Sequence, residues 1–476
     1  MQNVSAEKDH VKKKKEFSLP DTIVILLALT FLATVLTYII PAGKFDMVKN
    51  AASGRDVVDP ATFHFVEQRP VSILDMFAAV PKGLIQTANI MVLTLFCGAV
   101  FHLVTHTGAM DAGLAAAMKK LSGSKKYILV VGMMLVSSVL GLRGSAETLL
   151  PFMPLAVSTC IVIGLDSLAG AAIILVGAAA GMMNSFISHI LIVAQGIAEL
   201  PPYSGIGVRV ISYAAFWLVA ALFIILYCKK LDKDPTRSSM YEQDRINHKE
   251  TVVTALNAPE FTTRRKVTLI TFGVGMLTLI ACLALFTFNV AQVSTLYFIL
   301  ALIIGIVGGY SPNTFAKEFI NGCRSMLYGA MIVGFARAIS IVMTDGVILD
   351  TITNVMASIL KFLPSSICAV GMLFVQGLMS IVVPSGTGQA AVTMPLIAPL
   401  ADLIGVTRQT SVVAFMLGDG IINLLTPTSG YFMAAIGIVG ISWLKWVKWY
   451  IPLAIIWIIM AIVVLIICTM IGYGPF

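Results

Sequence analysis

Five ionisable residues stand inside stretches that are otherwise apolar: Arg143, Glu147, His189, Arg337 and Asp419. A charge in such surroundings costs roughly 3 kcal/mol or more unless it is paired or hydrated, so each needs a partner or a task. Arg143 lies beside the break Gly141-Leu-Arg-Gly-Ser145, where a guanidinium suits two-pronged capture of a carboxylate. Its spacing of four from Glu147 equally allows the two to pair on one helix face. Glu147 and Asp419 are candidate proton or charge carriers; His189 is either a third or a packed, hydrogen-bonded residue.

Neutral oxygens and amides surround these charges in two sets. Ser145, Thr148, Asn184 and Ser185 form one, and Ser385, Thr387, Asn423, Thr426 and Thr428 the other. The candidate substrate-binding residues are Arg143, Ser145, Glu147, Thr148, Asn184, Ser385, Gly386, Thr387, Gly388, Gln389, Asn423, Pro427, Thr428 and Ser429. Hard oxygen donors suit Na⁺, for which the candidates are Ser145, Asn184, Ser385, Thr387, Asn423 and Thr426. The alternative for each hydroxyl is back-bonding to its own helix. Pro427 removes a backbone donor and frees a carbonyl one turn back.

The elements that hold these groups must lie in lipid. Of 476 residues, 58% are hydrophobic and 12% charged, and mean hydropathy is +0.93. A water-facing surface needs about twice that charge. Apolar runs of about 20 residues without two-residue alternation exclude soluble enzymes and outer-membrane barrels and leave an all-α polytopic membrane protein. The net charge of +8 sits between the runs, where it reports orientation and no nucleic-acid partner. Seven cysteines without CxxC or zinc spacing read as packing residues, and neither GxSxG nor HExxH marks an enzyme. No cofactor is expected beyond a coupling Na⁺ or H⁺.

The runs lie at 22–42, 84–106, 126–165, 167–199, 209–228, 266–288, 293–311, 326–344, 364–405, 408–440 and 449–472. Two, 126–165 and 364–405, are twice the crossing length and broken midway by polar, small residues. Lys8 and Lys12 to Lys15 place the N-terminus in the cytoplasm; an even number of passes for 126–165 keeps the basic stretch 229–266 inside, and the same treatment of 364–405 puts Lys317, Arg324, Lys445 and Lys448 inside as well. Two full crossings satisfy that rule as well as a re-entrant hairpin; polar breaks favour hairpins, because they belong inside protein. The expectation is nine spanning helices, two re-entrant helical hairpins, and a C-terminus outside. Trp443, Trp446 and Trp449 among Lys445 and Lys448 read as an interfacial anchor.

Shifted by 241 positions, residues 144–200 align with 385–441 without a gap, sharing Met153-Pro154-Leu155 with Met394-Pro395-Leu396, Gly164 with Gly405 and Gly177 with Gly418. The division expected is a first repeat at 1–228, a cytoplasmic linker at 229–265, and 266–476 as an extra helix (266–288) followed by a second, inverted repeat. Inverted repeats with broken helices are a secondary-transporter architecture; a passive channel or a membrane enzyme is disfavoured.

Pro384-Ser-Gly-Thr-Gly-Gln-Ala-Ala-Val-Thr-Met-Pro-Leu396, Gly405-Val-Thr-Arg-Gln409, Gly418-Asp-Gly420 and Pro427-Thr-Ser429 closely resemble the YfcC-type branch of the C4-dicarboxylate anaerobic carrier-like (DcuC-related) family, in the ion-transporter superfamily. Pro20-Asp-Thr-Ile-Val24, Tyr38-Ile-Ile-Pro-Ala-Gly43 and Val193-Ala-Gln-Gly-Ile-Ala198 extend the resemblance over nearly the whole chain. It implies a bacterial inner-membrane symporter or antiporter of a small carboxylate, such as a C4-dicarboxylate or amino acid, and a homodimer. Arginine/ornithine exchange is the alternative. The family's first hairpin often carries a Gly-Met-Gly-Glu-Glu-like tip; Arg143 in its place favours an anionic or zwitterionic substrate.

Overall fold

The computed structural model describes residues 21–49, 56–59, 61–110, 112, 125–144, 146–245, 262–285, 288–360 and 365–474. Ser145, Lys8, Lys12 to Lys15 and the linker stretch 246–261 lie outside them. The described chain is almost wholly helical. Helix α1 spans Thr22–Ile39, capped by the Asp21 side chain. Two short antiparallel strand pairs, Gly43–Lys44 with His64–Phe65 and Met47–Lys49 with Asp56–Val58, separate it from α2 (Ile73–Gln86) and α3 (Ala88–His106).

A helical pair follows: α4 (Lys125–Gly141), then a 3₁₀ turn at Ala146–Phe152 running into α5 (Met153–Val162). Next come α6 (Ser167–Met183), α7 (His189–Ile197) and α8 (Ile206–Lys233). The second half holds α9 (Thr263–Leu285), α10 (Val290–Gly308), α11 (Pro312–Ser325), α12 (Leu327–Asp345) and α13 (Leu349–Leu360). The second pair, α14 (Ser365–Val382) and α15 (Gly386–Leu403), precedes α16 (Arg408–Ile422), α17 (Gly430–Ile438) and α18 (Trp443–Met470).

Seven helices of the described residues are long and apolar enough to cross a membrane: α1, α3, α8, α9, α10, α12 and α18. The other two expected spans, 167–199 and 408–440, are each split into a pair too short to cross alone. Asn184 and Asn423 end the first members, and Ser188 and Ser429 open the second ones. Every residue of α6 is buried, as are almost all of α16. These two form the centre, while α8, α9 and α18 turn residues such as Leu218, Leu277 and Ile459 outward.

The halves correspond beyond the sequence alignment. Ile73 and Pro312, Ala88 and Leu327, and His189 and Gly430 open matching helices. Gly164 (φ 79°) and Gly405 (φ 74°) both turn the chain in the left-handed region after a hairpin, where a Cβ is disfavoured. Asp166 and Thr407 then cap α6 and α16.

Two faces of the molecule are joined by α8 and α18, each 28 residues and about 42 Å long. On one face Asp232 receives Lys126 and Tyr127 at the start of α4, and Asp166 accepts from Tyr227 (2.5 Å) and Ser238 (2.6 Å). Both ends of the α4–α5 pair therefore meet the start of the linker. On the other face Arg408 binds Glu199 (2.6 Å) and Asp402 (2.7 Å), and Phe45 donates its N–H to Asp350 (3.1 Å). Chain 166–199 thus runs from the linker face to the other, while 408–440 runs back, since Gly440 lies beside Gln243.

The amphipathic helices α2 and α11 cross between halves. Gly83 abuts the Gly334 carbonyl of α12, and Gly322 lies against Ala99 of α3. The tryptophans read as an interfacial anchor also bond within the protein. Trp443 and Trp446 donate their indole N–H groups to the carbonyls of Leu425 and Leu424, both at 2.9 Å, and Trp446 is fully buried. Their amphipathic rings satisfy acceptors left open where α16 stops.

Candidate solute-binding cavity

Each helical pair presents its tip to the break of its own half. The Ser185 hydroxyl donates to the Leu142 carbonyl (2.5 Å) and also receives the Ser188 N–H (2.9 Å). In the second half Thr428 donates to the Ile381 carbonyl (2.7 Å) and shares a hydrogen bond with Thr426 (2.7 Å). Hydroxyls thus satisfy backbone that neither helix can, the requirement for irregular chain away from water.

Between the tips and the breaks lies a half-open cavity of about 480 Å³. Glu147, Thr148 and His189 line it from the first half, and Ser385, Gly386, Thr387, Asp419, Asn423 and Thr428 from the second. Arg337 of α12 reaches it too. Ser385 caps α15 by accepting the Gly388 N–H (3.4 Å), so a positive helix end faces the space. Asp419 Oδ1 accepts from Ser380 and from Asn423 Nδ2, both at 2.8 Å. The Asn423 side-chain carbonyl is buried without a partner among the described residues, an acceptor at the cavity wall that a donor or cation would satisfy.

Other residues proposed from sequence stand behind this wall. Arg143 does not line the cavity; its carbonyl accepts from His189 Nδ1 (3.2 Å), and no ion pair joins it to Glu147 among the described residues. Asn184 turns back onto its own helix, donating to the Ala180 carbonyl (3.2 Å). Gln389 is fully buried between α14 and α15, donating to the backbone and side-chain oxygens of Gln376 (2.8 Å each). Gly388, Thr426, Pro427 and Ser429 shape the tip and the break without reaching the space.

Sequence reasoning missed Gln86, Thr87 and Ile90 at the α2–α3 junction, Phe288 to Val290 at the start of α10, and Tyr431. The signal available was the amphipathic pattern of 73–86, which ends at Gln86. The cavity extends from the tips toward this group, on the face where α10 begins.

Residues 19–470 match the family model of the C4-dicarboxylate anaerobic carriers. The chain belongs to that family. This carrier is 29% identical to YfcC of Escherichia coli strain K12, provisionally named a basic amino acid antiporter, over 90% of this chain and 92% of that one. It is 27% identical to an uncharacterised Haemophilus influenzae protein over 88% and 91% of the two chains. Two solved transporters align over most of their length: Alcanivorax borkumensis YdaH (14% identity, TM-score 0.39, 96% of this chain and 100% of that one) and Neisseria gonorrhoeae MtrF, from a class of antimetabolite efflux pumps (17%, 0.41, 95% of each). Membership makes the chain a multi-pass membrane transporter acting on a small molecule.

Proposed function

We propose that this carrier moves a small carboxylate, such as a C4-dicarboxylate or an amino acid, across a bacterial inner membrane by alternating access. The observation that carries the reading is the cavity itself: two hairpin tips and two helix breaks from oppositely running halves converge on one half-open space. Such a site can be exposed to either side by moving one half against the other. The helical pairs act as re-entrant hairpins, with the N-terminus and the linker cytoplasmic and the C-terminus outside. Transport is coupled to Na⁺ or H⁺ or runs as exchange. The open Asn423 carbonyl and the Asp419 carboxylate support a coupling cation on the second-half side. A homodimer is the assembly that the superfamily resemblance suggests.

A second reading, exchange of basic amino acids, is favoured by Glu147 and Asp419 on the cavity wall and by the provisional name of the Escherichia coli relative.

Counterflow in proteoliposomes separates the two. Purified carrier is loaded with unlabelled solute and offered labelled succinate, fumarate, alanine, arginine or ornithine, with and without Na⁺. Saturable, trans-stimulated uptake of a carboxylate supports carriage. Arginine and ornithine as sole substrates select the second reading, and unsaturable flux without trans-stimulation rejects both.

A further inference from the structure

Arg337 sits in the middle of α12 among buried Gly334, Ala336 and Ala338. Its Nε donates to the Gln86 side-chain oxygen at 2.9 Å. No carboxylate stands within ion-pair distance among the described residues, although Glu147 and Asp419 line the same cavity. A guanidinium at that depth with only a neutral partner is a charge that a ligand can complete.

Its orientation is fixed from the opposite half. Gly83 presses α2 against α12 so closely that a Cβ there would collide with the Gly334 carbonyl and stand 3.2 Å from the Ala338 N–H. Gln86 follows one turn later and holds the Nε edge, leaving the terminal nitrogens without a hydrogen-bond partner among the described residues. The second tip is adjacent, since Ser340, one turn beyond Arg337, lies 3.5 Å from the Val382 carbonyl. The N-terminus of the 18-residue α15 opens at that tip, with Ser385, Gly386 and Thr387 on the same cavity wall. A planar fork and a positive helix end therefore share one region, a combination suited to a carboxylate. The matching position of the first half is Gly98, packed against Met326 and the Gly322 carbonyl, so the arrangement exists on one side only.

We propose that Arg337, oriented by Gln86, seats the carboxylate of the transported solute. This rests on the reading of the cavity as the transport site. Arg143, the arginine favoured by sequence, is not among the residues that line the cavity.

The test compares a carried acid with its carboxamide: succinate with succinamate, and ornithine with ornithinamide, as competitors of counterflow. Wild type prefers the acid by at least tenfold. Arg337→Gln raises KM for the acid at least tenfold and abolishes the preference; Arg337→Lys falls between, and Gln86→Ala raises KM several-fold with the maximal rate retained. A merely structural role would weaken acid and amide alike, and a thermal-unfolding midpoint near wild type for Arg337→Lys and Gln86→Ala excludes misfolding. Preference retained in Arg337→Gln overturns the proposal and leaves the carrier reading standing. Failure of wild type to carry any carboxylate overturns both.

Discussion

Gly418 of α16 lies against the Leu373 carbonyl of α14, so that a Cβ at 418 would stand 2.6 Å from that oxygen. In the first half Gly181 of α6 meets the Ser138 carbonyl of α4 in the same way. The small-residue stripes thus let each central helix touch one arm of its hairpin at backbone distance. Gly418→Ala is expected to destabilise the carrier by about 1–3 kcal/mol through overpacking. Gly207→Ala, at a position with open space around it, leaves the thermal-unfolding midpoint of purified protein unchanged or raises it. Equal midpoints for the two variants would refute this packing account.

The hydroxyl clasps at the breaks give a second expectation. Ser185→Ala leaves the Leu142 carbonyl without its donor, and Thr428→Val does so for Ile381. Stranding a buried carbonyl costs about 1–3 kcal/mol. Both variants are expected to reduce the maximal rate of counterflow while still reaching the membrane. Ser185→Thr, which restores a hydroxyl, should recover part of the Ser185→Ala loss; no recovery would assign the effect to packing.

The polar breaks were legible because Asn184, Ser185, Asn423 and Pro427 interrupt apolar runs, and nothing in lipid tolerates such residues without a partner. The sequence match of Gly164 with Gly405 has a counterpart in the structure, because both answer backbone conformation rather than composition. What failed was side-chain direction. Arg143 does not line the cavity although Gly144 beside it does, and Asn184 and Gln389 turn toward backbone or a neighbouring helix. Proximity to a break cannot tell which face of a short helix looks into the space. Gln86 was invisible for another reason: α2 belongs to the first half yet packs against the second, a crossing that periodicity does not encode.

Asp419 offers a clean separation of charge from structure. Its Oδ1 accepts from Ser380 and Asn423, and an asparagine in its place keeps an acceptor oxygen there without the charge. Asp419→Asn is therefore expected to fold like wild type, with loss of Na⁺ or pH dependence of uptake. Asp419→Ala strands two buried donors and lowers stability by about 1–3 kcal/mol in addition. Unfolding midpoints and uptake with imposed Na⁺ or pH gradients read the two effects separately; unchanged ion dependence in Asp419→Asn would remove this carboxylate from coupling.

A final expectation concerns acid stability at the crossing of α11 onto α3. Glu318 receives His102 Nε2 at 2.8 Å and Asn321 at 3.1 Å, with His106 Nε2 at 4.0 Å. The hydrogen bond from His102, aided by Asn321, holds the Glu318 carboxyl below its ordinary value of 4.5. A depressed carboxylate contributes stability that is complete above the unfolded value and is lost as pH falls through the folded one. Wild type should therefore exceed Glu318→Gln in unfolding midpoint at pH 6, and the gap should close as the pH is taken below 4.5. The corresponding crossing of α2 onto α12 carries Lys82 with Asp345 at 3.0 Å, both well exposed, and pairs of that kind contribute about 0–1 kcal/mol. Lys82→Met should accordingly move the midpoint little at any pH. A gap for Glu318→Gln that persists undiminished at pH 3 would show that the residue stabilises the crossing through packing and not through its charge.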